Sequence, residues 1–188
     1  MPPITLVKNY LNAKQIEALI NEAQDYPFEK PILTVYGKQH PIPRQQIWFA
    51  DNGCDYRFSS LFIQAQPWPK YAHKLQSKLQ RDFDIKSNGV LVNRYADGDD
   101  SMGWHSDNEP EITLYSDIIS VSIGASREFI IRHKVNKSQY KIMLNSGDLL
   151  IMHWPIQSEW EHALPKRKRV NKLRLNFTFR CLIPDFHR

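Results

Sequence analysis

The sequence predicts an α+β protein in which helices near the start pack on a two-sheet β-sandwich, such as a jelly roll. Three observations carry this. Apolar residues before residue 84 recur at helical spacing. Short β-branched and aromatic runs dominate from Gly89 onward. Turn-forming clusters separate those runs at short intervals.

The elements follow in order. Residues 12–25 (NAKQIEALINEAQD) place Ile16, Leu19 and Ile20 on one helical face, with Asn12 as N-cap. Residues 32–65 read as hairpins with turns at Gly37 and around Asn52-Gly53. Residues 68–83 predict a second helix, with Pro69 near its first turn and Tyr71, Leu75 and Leu79 four apart. Then come GVLVNRYA, DIISVSIG, REFIIRH, YKIML, DLLIMH and LRLNFTFR as strands, with DGDD, VNKSQ and NSGD as turns. There is no repeat, low-complexity tract or Gly/Ser linker, so residues 1–188 are expected to form a single domain. Its recognition hairpins would span about 32–65 and its jelly-roll core about 89–182.

Composition narrows the partners. The chain has 188 residues, is 41% hydrophobic and carries a net charge of +5, which suits an anionic partner without proving one. Two cysteines, Cys54 and Cys181, are too few for a disulfide framework or a thiolate zinc site. No apolar run approaches the roughly 20 residues needed to span a bilayer. The start, MPPITLVKNYLNAKQ, lacks the features of a secretory signal. A monomer away from membranes is expected inside the cell, cytoplasmic in a bacterium and nuclear in a eukaryote.

Chemistry enters at Trp104-His105-Ser106-Asp107. Residues two apart on an extended segment point the same way, so His105 and Asp107 can offer an imidazole and a carboxylate to one metal. A second histidine would complete the two-His-one-carboxylate face of a non-heme iron(II) oxygenase. His162 is the best candidate and His153, closing a strand, is its nearest rival. The final strand alternates: Leu173, Leu175, Phe177 and Phe179 on one face, Arg174, Asn176, Thr178 and Arg180 on the other. Taken alone, that pattern also fits an edge strand with a wet polar face. Beside an iron site, Arg174 and Arg180, with backbones about 20 Å apart, suit the two ends of a small dicarboxylate such as 2-oxoglutarate. Asn93 and Tyr95 share a strand face and can add hydrogen bonds.

Together these pieces resemble the AlkB family of nucleic-acid dealkylases. The matching segments are Asn93-Arg94-Tyr95 with Gly98, His105-Ser106-Asp107 with Glu109, Ser120 to Ala125, Arg132-His133-Lys134, His162 with Leu164-Pro165, and Arg174 to Arg180. Val35-Tyr36-Gly37, Pro43-Arg44-Gln45-Gln46 and Tyr56-Arg57-Phe58-Ser59 bring it nearest the animal-type DNA repair branch. The resemblance implies a double-stranded β-helix, with Fe(II) held by His105, Asp107 and His162. It implies 2-oxoglutarate held by Asn93, Tyr95, Arg174, Asn176, Thr178 and Arg180, with O2 as oxidant. The implied reaction removes methyl groups from bases such as 1-methyladenine and 3-methylcytosine in single- or double-stranded DNA, releasing succinate, CO2 and formaldehyde. Tyr56 and Phe58 would bracket a flipped base together with His105, Glu109 would edge it, and Val35-Tyr36-Gly37 would form a hairpin tip that wedges into the stack. Arg44 is assigned to the substrate by the same resemblance. Lys166, Arg167 and Lys168, close after His162, would grip phosphates. The connection after Arg132-His133-Lys134 is short, Val135 to Gln139, which predicts a weaker grip on the opposite strand. The alternatives are an RNA demethylase, a small-molecule hydroxylase with the same cofactors, and a catalytically silent nucleic-acid-binding domain.

Overall fold

The computed structural model describes residues 1–58 and 60–188; Ser59, part of one matching segment, lies outside the described residues. In chain order the elements are β1 (Ile4–Val7), α1 (Ala13–Ala23), β2 (Ile32–Val35), β3 (Lys38–Pro41), β4 (Gln45–Ala50), β5 (Tyr56–Phe58), β6 (Leu61–Ile63), α2 (Lys70–Phe83), β7 (Gly89–Tyr95), β8 (Met102–His105), β9 (Ile118–Gly124), β10 (Arg127–His133), β11 (Gln139–Leu144), β12 (Leu149–Met152), α3 (Ile156–Glu159), β13 (Trp160–Leu164) and β14 (Arg174–Arg180). No helix among the described residues is long and apolar enough to cross a membrane.

The helices start where the sequence says, for identifiable reasons. Asn12 and Gln15 form a reciprocal capping box, each side-chain oxygen accepting from the other's backbone N–H at 2.9 Å. In α2, Pro69 is the N-cap rather than a first-turn residue. Proline offers no side-chain acceptor, so Glu22 of α1 supplies one, accepting from the Tyr71 and Ala72 amides at 2.6 and 3.1 Å.

A six-stranded sheet runs β1-β12-β9-β14-β7-β4 and a four-stranded sheet runs β11-β10-β13-β8. The last strand therefore lies inside the larger sheet, paired with β9 and β7, and is not an edge. Its apolar face, Leu175, Phe177 and Phe179, packs with Leu19 and Ala23 of α1 and Ala72, Leu75 and Leu79 of α2. A second core, including Ile118, Ile131, Leu150 and Trp160, joins the two sheets. The helices thus cover one face of the large sheet and the small sheet covers the other, as the alternation of β14 requires.

Three strands carry no clear sequence signal. β1 is four residues long, β8 contains Gly103, and β13 places Glu161 and His162 within an apolar segment. The hairpin reading of 32–65 holds for β2 and β3, which pair around Tyr36-Gly37. It fails at Asn52-Gly53. β4 pairs with β7 in the large sheet, while β5 pairs with β6. Gly53 turns the chain at φ +87 against the C-terminal segment, where a Cβ would lie 2.6 Å from Asp185 Oδ1.

Two loops beside the small sheet are clasped together. Gly98 N–H donates to Val170 O and Arg167 N–H to Gly98 O, both at 2.7 Å. Buried Arg127 donates to the carbonyls of Asp97, Asp100 and Pro165 at 3.1, 2.8 and 2.8 Å. A Cβ at Gly98 would meet Arg167 O at 1.8 Å, closer than backbone can yield without moving. Gly98→Ala is expected to cost about 1–3 kcal/mol and lower the thermal midpoint by about 3–10 °C. A melting curve that superimposes on wild type would show that the loops do not need this approach.

Candidate active site

β8 and β13 pair so that His105 faces His162. Asp107 lies two residues past the end of β8, so it joins His105 by a turn of the chain and not by strand alternation. Ligand atoms of His105, Asp107 and His162 all lie within 4.8 Å of one another. His105 Nε2 is 3.8 Å from Asp107 Oδ1, and His162 Nε2 is 3.7 Å from Asp107 Oδ2. His105 Nδ1 sits 2.8 Å from Gly103 O, which fixes the proton there and leaves Nε2 as a donor of electrons. Burial and the neighbouring His105 push the His162 pKa down to about 3, so its imidazole is neutral. Burial alone would raise Asp107, but Arg180, His162 and His105 together hold it well below the carboxylate range. Its Oδ1 accepts from Arg180 Nη2 at 2.8 Å. The rival ligand is spoken for: His153 contacts Asp117 at 2.9 Å and Thr5 at 2.8 Å, away from this cluster.

Behind the cluster lies a narrow cavity of about 30 Å³ lined by Asn93, Tyr95, Arg174, Asn176, Thr178 and Arg180. All six of these side chains are buried. Arg174 donates to Ser122 Oγ at 3.0 Å and lies over the Tyr95 ring, and its burial lowers its pKa to about 10. Asn176 donates to Ser120 Oγ at 2.7 Å and accepts from Thr178 at 2.7 Å. Arg174 Nε, Arg180 Nε and Arg180 Nη1 are buried and have no partner among the described residues. Arg44 bonds Asn93 Oδ1 at 3.3 Å and Ser101 O at 3.4 Å, so it braces this wall while also lining the outer space.

In front of the cluster is a larger cavity of about 580 Å³, walled by Tyr56, Phe58, His105, Glu109 and Arg180. It shares Met102, His105, Asp107 and Arg180 with the inner one. Tyr56 stacks among Trp48, Phe58 and the Arg180 guanidinium, with centres 4.9, 5.6 and 5.4 Å away. Burial and the charge of Asp107 raise the Glu109 pKa to about 7. Val35 lines the mouth, and Tyr36 at the hairpin tip is fully exposed with φ +50, followed by Gly37 at φ +75. Lys166, Arg167 and Lys168 do not line either cavity. They border a separate surface hollow with Ser126, Glu128 and Met143, and Arg167 is paired with Glu128. The expectation that this run flanks the site is corrected, because the Gly98 and Arg127 clasp turns the loop aside.

The model of the 2OG-Fe(II) oxygenase superfamily matches residues 3–180. The chain belongs to that superfamily. Among curated relatives, DNA oxidative demethylase ALKBH2 of Bos taurus is 38% identical over 162 residues, covering 82% of this chain and 58% of the relative. The Mus musculus ALKBH2 is 40% identical over 158 residues, covering 80% and 66%. Alpha-ketoglutarate-dependent dioxygenase alkB homolog 3 of Mus musculus is 29% identical over 193 aligned residues, covering 97% and 67%. These relatives bear out the AlkB resemblance. The chain spans 58% and 66% of the two ALKBH2 proteins' length. A solved structure titled "The structure of OsALKBH1" matches with a TM-score of 0.66 at 19% identity, over 96% of this chain and 98% of that one, and agrees with the fold.

Iron(II) and 2-oxoglutarate come with this oxygenase family, and the residues present fit both. Two imidazoles and one carboxylate are the iron(II) donor set that leaves coordination positions open. Unpaired guanidinium donors deep in a protein are costly, and a carboxylate-bearing ligand would satisfy them. Sequence reasoning missed Phe129, whose ring lies 5.2 Å from His162, and Trp104 at the cavity mouth. Phe129 reaches His162 only through the pairing of β10 with β13, which leaves no local mark, and Trp104 stands next to His105 in the chain but shows no role until the cavity is seen.

Deleting an outer-shell partner of a metal ligand already costs about 10–100-fold in affinity, so His162→Ala should weaken Mn(II) or Fe(II) binding by about 100-fold or more. His153→Ala should leave it within about a factor of two. Titration calorimetry on the metal-free protein decides this, and comparable losses in both variants would displace His162.

Proposed function

We propose that this oxygenase removes alkyl groups oxidatively from bases in DNA, acting as a monomer. The observation that carries the reading is a two-His-one-Asp cluster placed between an arginine-lined inner cavity and an aromatic outer one. His105, Asp107 and His162 would hold iron(II). Arg180 keeps Asp107 ionised and in position. Arg174 would pair with a carboxylate of 2-oxoglutarate, with Asn93, Tyr95, Asn176 and Thr178 completing the wall. With iron, 2-oxoglutarate and O2 bound, the centre supplies hydroxylation of an N-methyl carbon, and the product collapses to formaldehyde and the repaired base. Tyr56, Phe58 and His105 fix the flipped base by stacking, and Glu109 stands at its edge. Location follows the host: nuclear in a eukaryote, cytoplasmic in a bacterium.

The relatives' names support this substrate class, since ALKBH2 is called a DNA oxidative demethylase. The test is formaldehyde release from 1-methyladenine in single-stranded DNA, duplex DNA and RNA. Turnover on DNA is expected. Turnover on RNA alone would move the assignment to RNA, and none on any polymer would return it to a small molecule.

Arg174→Ala is expected to raise the 2-oxoglutarate KM by about 30-fold or more, because a buried charge pair loses one member. An unchanged KM would mean that Arg174 points at something else. Tyr36→Ala should lower duplex turnover by about tenfold or more and single-strand turnover by about twofold, since unstacking costs a few kcal/mol only in a duplex. Equal losses on the two substrates would remove Tyr36 as a wedge.

A further inference from the structure

Trp104 takes no part in the chemistry above. It precedes His105 on β8, lines the mouth of the outer cavity and is 37% exposed. A single exposed aromatic would carry nothing by itself. This one is backed. The guanidinium carbon of Arg132 lies 3.9 Å from the centre of the indole ring. Arg132 is itself held in place, its Nε and Nη2 donating to Glu161 Oε1 at 2.8 and 2.7 Å. Pairing of β10 with β13 sets Arg132 directly opposite Glu161, so the fork is built into the sheet. Lys137 Nζ approaches the same carboxylate oxygen at 3.8 Å.

Two consequences follow. Arg132, just before the short Val135 to Gln139 connection, is committed to Glu161 and the indole. And an indole with one flat face under a cation, yet more than a third exposed, presents its other face outward. A rigid, cation-backed ring beside a base-sized cavity has the properties of a stacking platform for π-faced ligands.

We infer that Trp104 stacks on an unpaired base flanking the target nucleotide, making the cavity mouth a second base subsite specific to single strands. This rests on the nucleic-acid reading above. In a duplex the flanking base stays paired, with one face against its remaining neighbour and the other against the Tyr36 wedge, so the indole finds nothing to cover. In a single strand one face is free, and stacking is tolerant of sequence because every base has a π-face.

The test is binding, with no turnover required. Labelled decathymidylate and a ten-pair duplex are titrated by anisotropy against wild type, Trp104→Ala and Trp104→Phe. Trp104→Ala should weaken single-strand binding about ten- to a hundredfold and duplex binding less than about threefold, with Trp104→Phe restoring most of the loss. Quenching of intrinsic fluorescence by decathymidylate should also fall in both variants, although Trp48, Trp68, Trp154 and Trp160 remain. Unchanged single-strand affinity in Trp104→Ala overturns the platform, as does an equal loss on the duplex or a Trp104→Phe as weak as the alanine. A wild type that binds neither oligonucleotide overturns the nucleic-acid reading itself and the platform with it.

Discussion

Arg180 and Asp107 meet at 2.8 Å with both side chains almost wholly buried, and much of the molecule is arranged around that contact. Removing two charges from water costs several kcal/mol apiece, and a single hydrogen bond does not offset that. Three further conditions make the pair tenable. The imidazoles of His105 and His162 add favourable field at the carboxylate. The ring of Tyr56 covers the guanidinium. The remaining Arg180 donors lie at the inner cavity, whose wall also carries the polar groups of Asn93, Asn176 and Thr178. A site that is incompletely satisfied when empty is one whose stability rises on loading. The contact also joins the last strand of the large sheet to the loop after β8 of the small one, so the metal ligands and the arginine wall keep a common frame.

That frame explains why β14 must be so regular. Seven consecutive residues are buried, and the sheet separates them cleanly into an apolar layer under the helices and a polar layer over the cavity. A one-residue slip would exchange the layers, placing two guanidiniums under the helices and phenylalanines against the iron ligands. Pairing along both sides of β14, with β9 and β7, makes such a slip expensive. Asn176, Thr178 and Ser120 bond among themselves, which fixes the floor of the cavity before any ligand arrives.

How much of this was legible depended on whether the signal was local. The Asn12 N-cap, the alternation of β14 and the His105–Asp107 pair sit within a few residues of sequence and were read from it. Arrangement was not. Whether His162 or His153 completes the cluster turns on which neighbour engages His153, and Asp117 lies 36 residues away. The hairpin reading failed at Asn52-Gly53 because the partner of β4 is β7, not the next strand along. The basic run after His162 looked adjacent to the site because it is adjacent in sequence. Its direction is set by Gly98 and Arg127, neither of which advertises a loop some 70 or 40 residues downstream. Trp104 and Arg132 likewise meet only because β13 sets β8 and β10 in register on its two sides.

The position of β14 has a temporal side. It is synthesised after both β7 and β9, yet it lies between them in the interior of the large sheet. Until residue 180 has left the ribosome those two strands have no common partner. His105 and Asp107 are made well before His162, Arg174 and Arg180. A nascent chain therefore presents one imidazole and one carboxylate, too weak a pair to retain iron against exchange. Joining that pair to the third ligand and to the arginine wall waits on residues 162–180.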